Sequence, residues 1–199
     1  CAYNPQEMTK TNVMGAMNVI EAAQDAGVSK VVALSTDKAA EPISPYGCSK
    51  ALAESLFLAA NNTVPSDGPR FSAVRYGNVW ASAGSIVPTW LRLIEAGAKA
   101  VPVSDPACTR YWMSLEQAVD LVLDTIETMQ GGELVIPADM PAYRIGDLAE
   151  AIGVPMIVRG LPKWEKRHES VLPGESSDKA RRMSVDELRE ALKKVAAYA

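Results

Sequence analysis

Lys30-Val31-Val32-Ala33-Leu34-Ser35-Thr36-Asp37-Lys38-Ala39, followed by Tyr46-Gly47-Cys48-Ser49-Lys50, is the stretch on which the reading of this chain turns. The apolar, β-branched run from Lys30 to Leu34 predicts a buried strand that stops at polar Ser35 and Thr36. An acid, a lysine and a proline-bearing loop come next, and then a helix that opens with Tyr46 and Lys50. Their i, i+4 spacing puts both side chains on one helix face. An ammonium beside a phenol stabilises the phenolate, so such a tyrosine can act as a base well below its free pKa of about 10. A hydroxyl at a strand end, with a tyrosine and a lysine on the next helix, is a proton-transfer constellation.

Outward from it the pattern alternates. Asn4-Pro5 reads as an N-cap with proline in the first helical position, and Val13, Ala16, Met17 and Ile20 follow at helical spacing up to Gly27. The Tyr46 helix is expected to run to about Asn61, with Ala51, Leu52, Leu56, Phe57 and Ala60 as its apolar face. After a polar turn, Phe71 to Tyr76 reads as a second strand. Strand, helix, strand at this spacing predicts an α/β fold with part of a doubly wound parallel sheet. Further along, helices are expected over 86–96, from a capping box at Ser114 to about Met129, over 145–152 and over 184–197. Short extended pieces are expected at 101–103, 133–137 and 156–158. Residues 1–79 are therefore read as the later part of a cofactor domain, 80–175 mainly as a smaller α+β substrate lobe with some return to the sheet, and 176–199 as a helical tail.

Bulk properties narrow the function classes. Hydrophobic content of 48% and charged content of 22% are those of an ordinary globular protein. A net charge of −4 without a basic stripe argues against nucleic-acid binding. No apolar run approaches the roughly 18 residues of a membrane span. Cys1, Cys48 and Cys108 are scattered and there is 1 His, which argues against a metal site or disulfide framework and points to a reducing, cytoplasmic setting. Cys48 is read as a small buried residue. The four tryptophans, Trp80, Trp90, Trp112 and Trp164, are read as packing residues. The chain opens at Cys1, in what reads as a strand end or loop, without a signal peptide, and is expected to be a fragment. No glycine-rich dinucleotide fingerprint occurs in it. In a dinucleotide enzyme that turn would lie upstream, on the order of a hundred residues at ~30 per βαβ unit.

Ser35-Thr36 with Tyr46-x-x-x-Lys50 resembles the extended short-chain dehydrogenase/reductase superfamily, whose cofactor domain is an NAD(P)-binding Rossmann-like sheet. The flanking motifs are more specific: Thr11-Asn12-Val13-x-Gly15, Arg75-Tyr76-Gly77-Asn78-Val79, Gly84-Ser85-Ile86-Val87-Pro88, Thr109-Arg110-Tyr111-Trp112 and Gly131-Gly132-Glu133. In this order they resemble the inverting UDP-N-acetylglucosamine 4,6-dehydratases of surface-polysaccharide and flagellin-sugar biosynthesis. The resemblance spans about residues 1 to 170.

It implies hydride transfer from sugar C4 to tightly held NADP (or NAD), loss of water across C5 and C6, and return of the hydride to C6. By position Tyr46 would take the C4 hydroxyl proton. Lys50 would lower its pKa and bind the nicotinamide ribose, and Thr36 would hydrogen-bond the 4-hydroxyl. Asp37 and Lys38 would divide the acid and base roles of the elimination, which needs a proton donor and an acceptor on either side of the C5–C6 bond. A simple epimerase needs no such pair. Ser35, Tyr76 and Val79 would join the cofactor contacts. Asn78 and Arg110 would face the sugar or diphosphate, and Ser104 and Glu165 the uridine. A UDP-sugar substrate and a homo-oligomer are also implied.

The family's arginines in two motifs are missing, at Ala83 and in Pro162-Lys163-Trp164-Glu165, and the tail is helical where the family has a short sheet-like end. Plainer readings stand beside these. Asp37-Lys38 can be a loop ion pair, Arg110 can pair with Asp105, and Asn12 can be a buttress of the site or an exposed helix residue. His168 is read as a polar lobe residue rather than a catalyst. The rival functions are a nucleotide-sugar epimerase and a non-catalytic fragment.

Overall fold

The structure, a computed structural model, describes residues 4–195. The reading of the first residues as a strand end or loop, and the end of the tail helix at Ala197, lie outside that range. In chain order the elements begin with α1 (Pro5–Met8), a π-helical segment (Thr9–Met14), α2 (Gly15–Asp25), β1 (Lys30–Leu34), a 3-10 turn (Asp37–Ala39), α3 (Pro45–Ala60) and β2 (Arg70–Val74). Then come β3 (Asn78–Val79), α4 (Ile86–Glu95), β4 (Val101–Val103), β5 (Thr109–Met113), α5 (Leu115–Thr128) and β6 (Leu134–Val135). The last are β7 (Ala142–Arg144), α6 (Ile145–Ile152), β8 (Met156–Val158), β9 (Ser170–Leu172), β10 (Glu175–Ser176) and α7 (Val185–Val195).

The chain forms two compact units. The first comprises Cys1–Tyr76, Glu116–Ala138 and Ser170–Gly174. Its sheet has the order β1-β2-β6 and is wholly parallel, with Lys30 opposite Arg70, Leu34 opposite Val74 and Val74 opposite Val135. Crossover helices are what parallel neighbours require, and α3 is the one between β1 and β2. Its core is built from small residues: Ala16 and Ala23 of α2 and Ala53 and Ala60 of α3 surround Phe57 and Phe71. Phe71 is fully buried, and its rings and those of Phe57 meet tilted at 6.3 Å.

Two expectations about this unit need correction. β1 is half-buried rather than buried, and Leu34 is 51% exposed; among the described residues β1 pairs with β2 alone. The buried face of α3 is also rotated from the predicted one. It contains Ala53, Glu54, Phe57 and Ala60, while Leu52 points outward at 51% exposed. Glu54 can occupy that face because Arg75 neutralises it there.

The second unit comprises Gly77–Leu115, Asp139–Glu169 and Glu175–Ala199. β5 lies between β3, parallel to it, and β7, antiparallel to it, and β4 pairs in parallel with β8. Trp90, Val87, Val101, Leu148 and Leu188 form its core. Trp164 is 50% exposed, so its reading as a packing residue fails. α7 starts with a reciprocal capping box: the Glu187 amide donates to Ser184 Oγ at 3.1 Å, and the Ser184 amide donates to a Glu187 carboxylate oxygen at 2.7 Å. Among the described residues no helix is long and apolar enough to cross a membrane.

Asn61 ends α3 and closes the first unit by imitating a strand neighbour for Phe71. Its Oδ1 accepts from the Phe71 amide at 3.0 Å and its Nδ2 donates to the Phe71 carbonyl at 2.7 Å. Gly131, at φ +104°, makes room for it, since a Cβ there would lie 2.6 Å from Asn61 Oδ1. Replacing Asn61 with Ala orphans a strand amide beside the core and is expected to cost about 1–3 kcal/mol. Urea unfolding checks this: the midpoint falls for Asn61→Ala and stays put for the exposed neighbour, Asn62→Ala.

Candidate active site

The residues read from the sequence as a proton-transfer set lie where the chain leaves β1 and enters α3. The ladder with β2 continues past both strands, with the Ser35 amide donating to the Val74 carbonyl at 2.7 Å and the Asp37 amide to the Tyr76 carbonyl at 3.0 Å. The backbone around Thr36 is therefore pinned at the carboxyl end of the sheet, where ligands of open parallel sheets sit. Thr36 caps the 3-10 turn through its Oγ1, 3.4 Å from the Lys38 amide. It also donates that hydroxyl to Asp37 Oδ1 at 2.9 Å, and Lys38 Nζ donates to the same oxygen at 3.0 Å.

Asp37 and Lys38 thus form an ion pair, but an unequal one. The Asp37 side chain is 1% exposed and that of Lys38 is 33% exposed. Buried carboxylates are ordinarily well supplied with donors, yet Asp37 Oδ2 and the neighbouring Ser35 Oγ are both buried without a hydrogen-bond partner among the described residues. Polar atoms left open at a strand end, beside a tyrosine and a lysine, fit a polar ligand such as the ribose end of a nicotinamide dinucleotide.

α3 is brought onto this turn by its own first residues. Ser44 caps it, accepting from the Gly47 amide at 3.0 Å, and Pro45 supplies a preset φ at the first position. Gly47 packs directly under the Lys38 carbonyl: a Cβ there would fall well inside contact distance of that oxygen. Ser49 Oγ donates to the Tyr46 carbonyl at 2.8 Å and accepts from Asn12 Nδ2 at 2.9 Å. Asn12 sits in the π-helical turn, an irregularity common at functional sites. It buttresses the turn that carries Tyr46. Cys48, expected to be buried, is exposed, because the inward positions of that turn belong to Gly47 and Ser49.

The electrostatics differ from the expectation for Tyr46. Burial pushes its phenol above the ordinary value; Lys38 works to lower it and Asp37 to raise it. Lys50 lies one turn further along the helix. Its Nζ donates to the Leu34 carbonyl at 2.7 Å, and burial lowers its own pKa against an upward pull from Glu54. Tyr76, also half-buried, is raised by burial.

The remaining predicted residues belong to the second unit. Asn78 and Val79 form β3, and Asn78 Oδ1 is buried without a partner. Ser104, Arg110 and Glu165 form one array. Ser104 Oγ donates to Glu165 Oε2 at 2.7 Å, and Arg110 donates to Glu165 Oε1 at 2.7 Å. Arg110 is 8% exposed; burial works against its charge, but Glu169 foremost, and Glu165, raise its pKa above arginine's ordinary value. Its acidic partners are these two glutamates, not Asp105, which takes Arg167 at 2.7 Å instead. His168 Nδ1 shares a 2.8 Å hydrogen bond with Thr109 Oγ1. The tight seating of Gly47 and the buried Glu54–Arg75 pair went unread in the sequence. Glycine directly after the tyrosine is the one signal that could have pointed to the first.

A family model described as "Polysaccharide biosynthesis protein" matches residues 1–188. The chain is 45% identical over 177 residues to a UDP-N-acetylglucosamine 4,6-dehydratase (inverting) of Campylobacter jejuni, covering 88% of this chain and 53% of that protein. It is 39% identical over 186 residues to a UDP-glucose 4-epimerase of Rickettsia akari, covering 90% of this chain and 54% of that one. The chain thus spans about half the length of the curated relatives it matches. In fold it is similar to a dTDP-glucose 4,6-dehydratase from Streptomyces venezuelae solved with NAD bound. The TM-score is 0.76 at 19% identity, over 97% of this chain and 68% of that one.

Two outcomes follow from the geometry. Gly47→Ala is expected to unseat the Asp37–Ala39 turn, seen as amide shift changes at those residues, whereas Gly15→Ala, whose Cβ meets nothing closer than 3.7 Å, leaves them unmoved. In an ultraviolet difference titration of the ligand-free chain, the transition that Tyr46→Phe removes is expected above the ordinary tyrosine midpoint.

Proposed function

The chain belongs to the polysaccharide biosynthesis protein family, and we propose that it carries the redox and elimination residues of an inverting 4,6-dehydratase acting on UDP-N-acetylglucosamine. The observation that carries this reading is the turn at Thr36–Lys38, where an ion-paired acid and lysine sit at the same strand end as the tyrosine helix. Oxidation at C4 alone needs a base for one hydroxyl proton. Loss of water from C5 and C6 needs a second donor and acceptor, and Asp37 with Lys38 supplies them.

In this reading Tyr46 takes the proton from the C4 hydroxyl. Lys38, the cation that already works on its phenol, favours the phenolate, and Lys50 holds the ribose hydroxyls from its place on the Leu34 carbonyl. A nicotinamide dinucleotide, NADP or NAD, would supply the hydride acceptor and donor. Thr36 hydrogen-bonds the C4 oxygen. Asp37 and Lys38, sharing a proton across 3.0 Å, deliver one to the departing C6 hydroxyl and receive one from C5. In the second unit, Glu165, held by Ser104 and Arg110, keeps lone pairs for nucleotide hydroxyls. Arg110, paired with Glu165 and Glu169, would meet the diphosphate from that place.

The identity to the epimerase supports a second reading, in which the same tyrosine and lysine interconvert C4 epimers without elimination. Mass spectrometry of the product formed by the full-length enzyme separates the two: one water lost supports the dehydratase, and an unchanged mass excludes it. Asp37→Asn is expected to slow water loss by about 10²–10⁴-fold while reduction of the bound nicotinamide by the C4 hydride, read from its near-ultraviolet absorbance, continues; Lys38→Met is expected to slow both steps. Tyr46→Phe is expected to stop both.

A further inference from the structure

Glu54 and Arg75 take no part in the chemistry above, yet they form a deeply buried ion pair in the first unit, 6% and 8% exposed. Arg75 meets both carboxylate oxygens, with Nε donating to Oε2 at 3.0 Å and the terminal nitrogen donating to Oε1. Its other terminal nitrogen donates to the Val171 carbonyl at 2.7 Å. This is the planar fork on a carboxylate that arginine makes and lysine cannot.

Glu54 also has a second cation close by. Lys50 lies one turn earlier on α3, at the i, i+4 spacing where lysine and glutamate ordinarily pair. Among the described residues no ion pair joins them. Lys50 instead places its ammonium on the Leu34 carbonyl at the end of β1, toward the strand end that holds Thr36. Glu54 is nonetheless near enough to act on Lys50 through its charge.

We infer that Arg75 is a positioning residue for Lys50: by neutralising Glu54 through both of its oxygens it weakens that carboxylate's pull on the lysine one turn away, and so leaves the ammonium on the Leu34 carbonyl at the strand end. A buried carboxylate that loses its partner is strongly driven toward any cation within reach. Without Arg75 the nearest is Lys50, and pairing with Glu54 takes it one turn down α3, away from the Leu34 carbonyl. The role given to Lys50 rests on the dehydratase reading; the competition for its ammonium does not.

The test uses Arg75→Met and the double variant Glu54→Gln/Arg75→Met in the full-length enzyme, with two readouts: kcat for water release and the pH titration of the Lys50 side chain by NMR. Arg75→Met is expected to lower kcat roughly tenfold with little change in KM, and to raise the Lys50 titration midpoint. The double variant removes the competitor and is expected to return kcat to within about twofold of the parent, with the Lys50 midpoint falling back. A double variant as slow as Arg75→Met would overturn the inference, because it would make the pair a strut to Val171 and nothing more. An unmoved Lys50 midpoint in Arg75→Met would overturn it equally. Should Arg75→Met not fold, the double variant decides alone: near-parental kcat supports the inference and a loss of about tenfold refutes it. A parent that releases no water contradicts the dehydratase reading, while the Lys50 titration still decides the competition.

Discussion

Everything at this site depends on the close seating of the first turn of α3 against the turn that leaves β1. Two backbone hydrogen bonds fix the strand end, from Ser35 to Val74 and from Asp37 to Tyr76. A glycine at position 47 then lets the helix approach until it touches the Lys38 carbonyl. That single close contact puts Tyr46, Thr36, Asp37 and Lys38 in one neighbourhood without any side chain reaching far. The Ser44 cap and the Asn12–Ser49 pair hold the helix end from the remaining sides. Reactive groups supported in this way lose little entropy when a ligand arrives, which is what positioning contributes to catalysis.

The architecture was legible where one physical signal dominates. The strand at Lys30 and the helix after Pro45 were readable from apolar runs and caps. α6 was found with its ends correct because Gly153, at φ +79°, terminates it in the left-handed conformation. The short strands β3, β5 and β7 were not read. Thr109 to Met113 mixes polar, cationic and aromatic side chains, and its burial pattern comes from partners such as Glu165 and Glu169, more than fifty residues away. The outward placement of Leu52 has a similar origin. Periodicity assigns leucine to the core and glutamate to water, and only the distant Arg75 reverses that for Glu54.

The candidate site itself was visible as a set of residues but not as a set of charges. Tyrosine and lysine at i, i+4 suggested a phenol tuned by Lys50; in the folded chain burial raises the phenol, with Lys38 acting to lower it and Asp37 to raise it. The reason lies in backbone geometry that no spacing rule contains. Lys50 donates to the Leu34 carbonyl at 2.7 Å, and the 3-10 turn places the Lys38 ammonium on Asp37 Oδ1. Arg110, whose motif suggested a phosphate, has its guanidinium paired with Glu165 and Glu169, a pairing no spacing rule contains. Sequence names the participants; the pairing among charges is settled by what each backbone turn leaves unsatisfied.

The central claim is that one strand end performs both oxidation at C4 and elimination across C5 and C6. The most direct test is the fate of the C4 hydrogen when the full-length enzyme is given UDP-N-acetylglucosamine deuterated at C4. The account predicts a dehydrated product in which that deuterium has moved to C6 of the same molecule. Deuterium still at C4 in a product of unchanged mass, or lost to solvent, would contradict it.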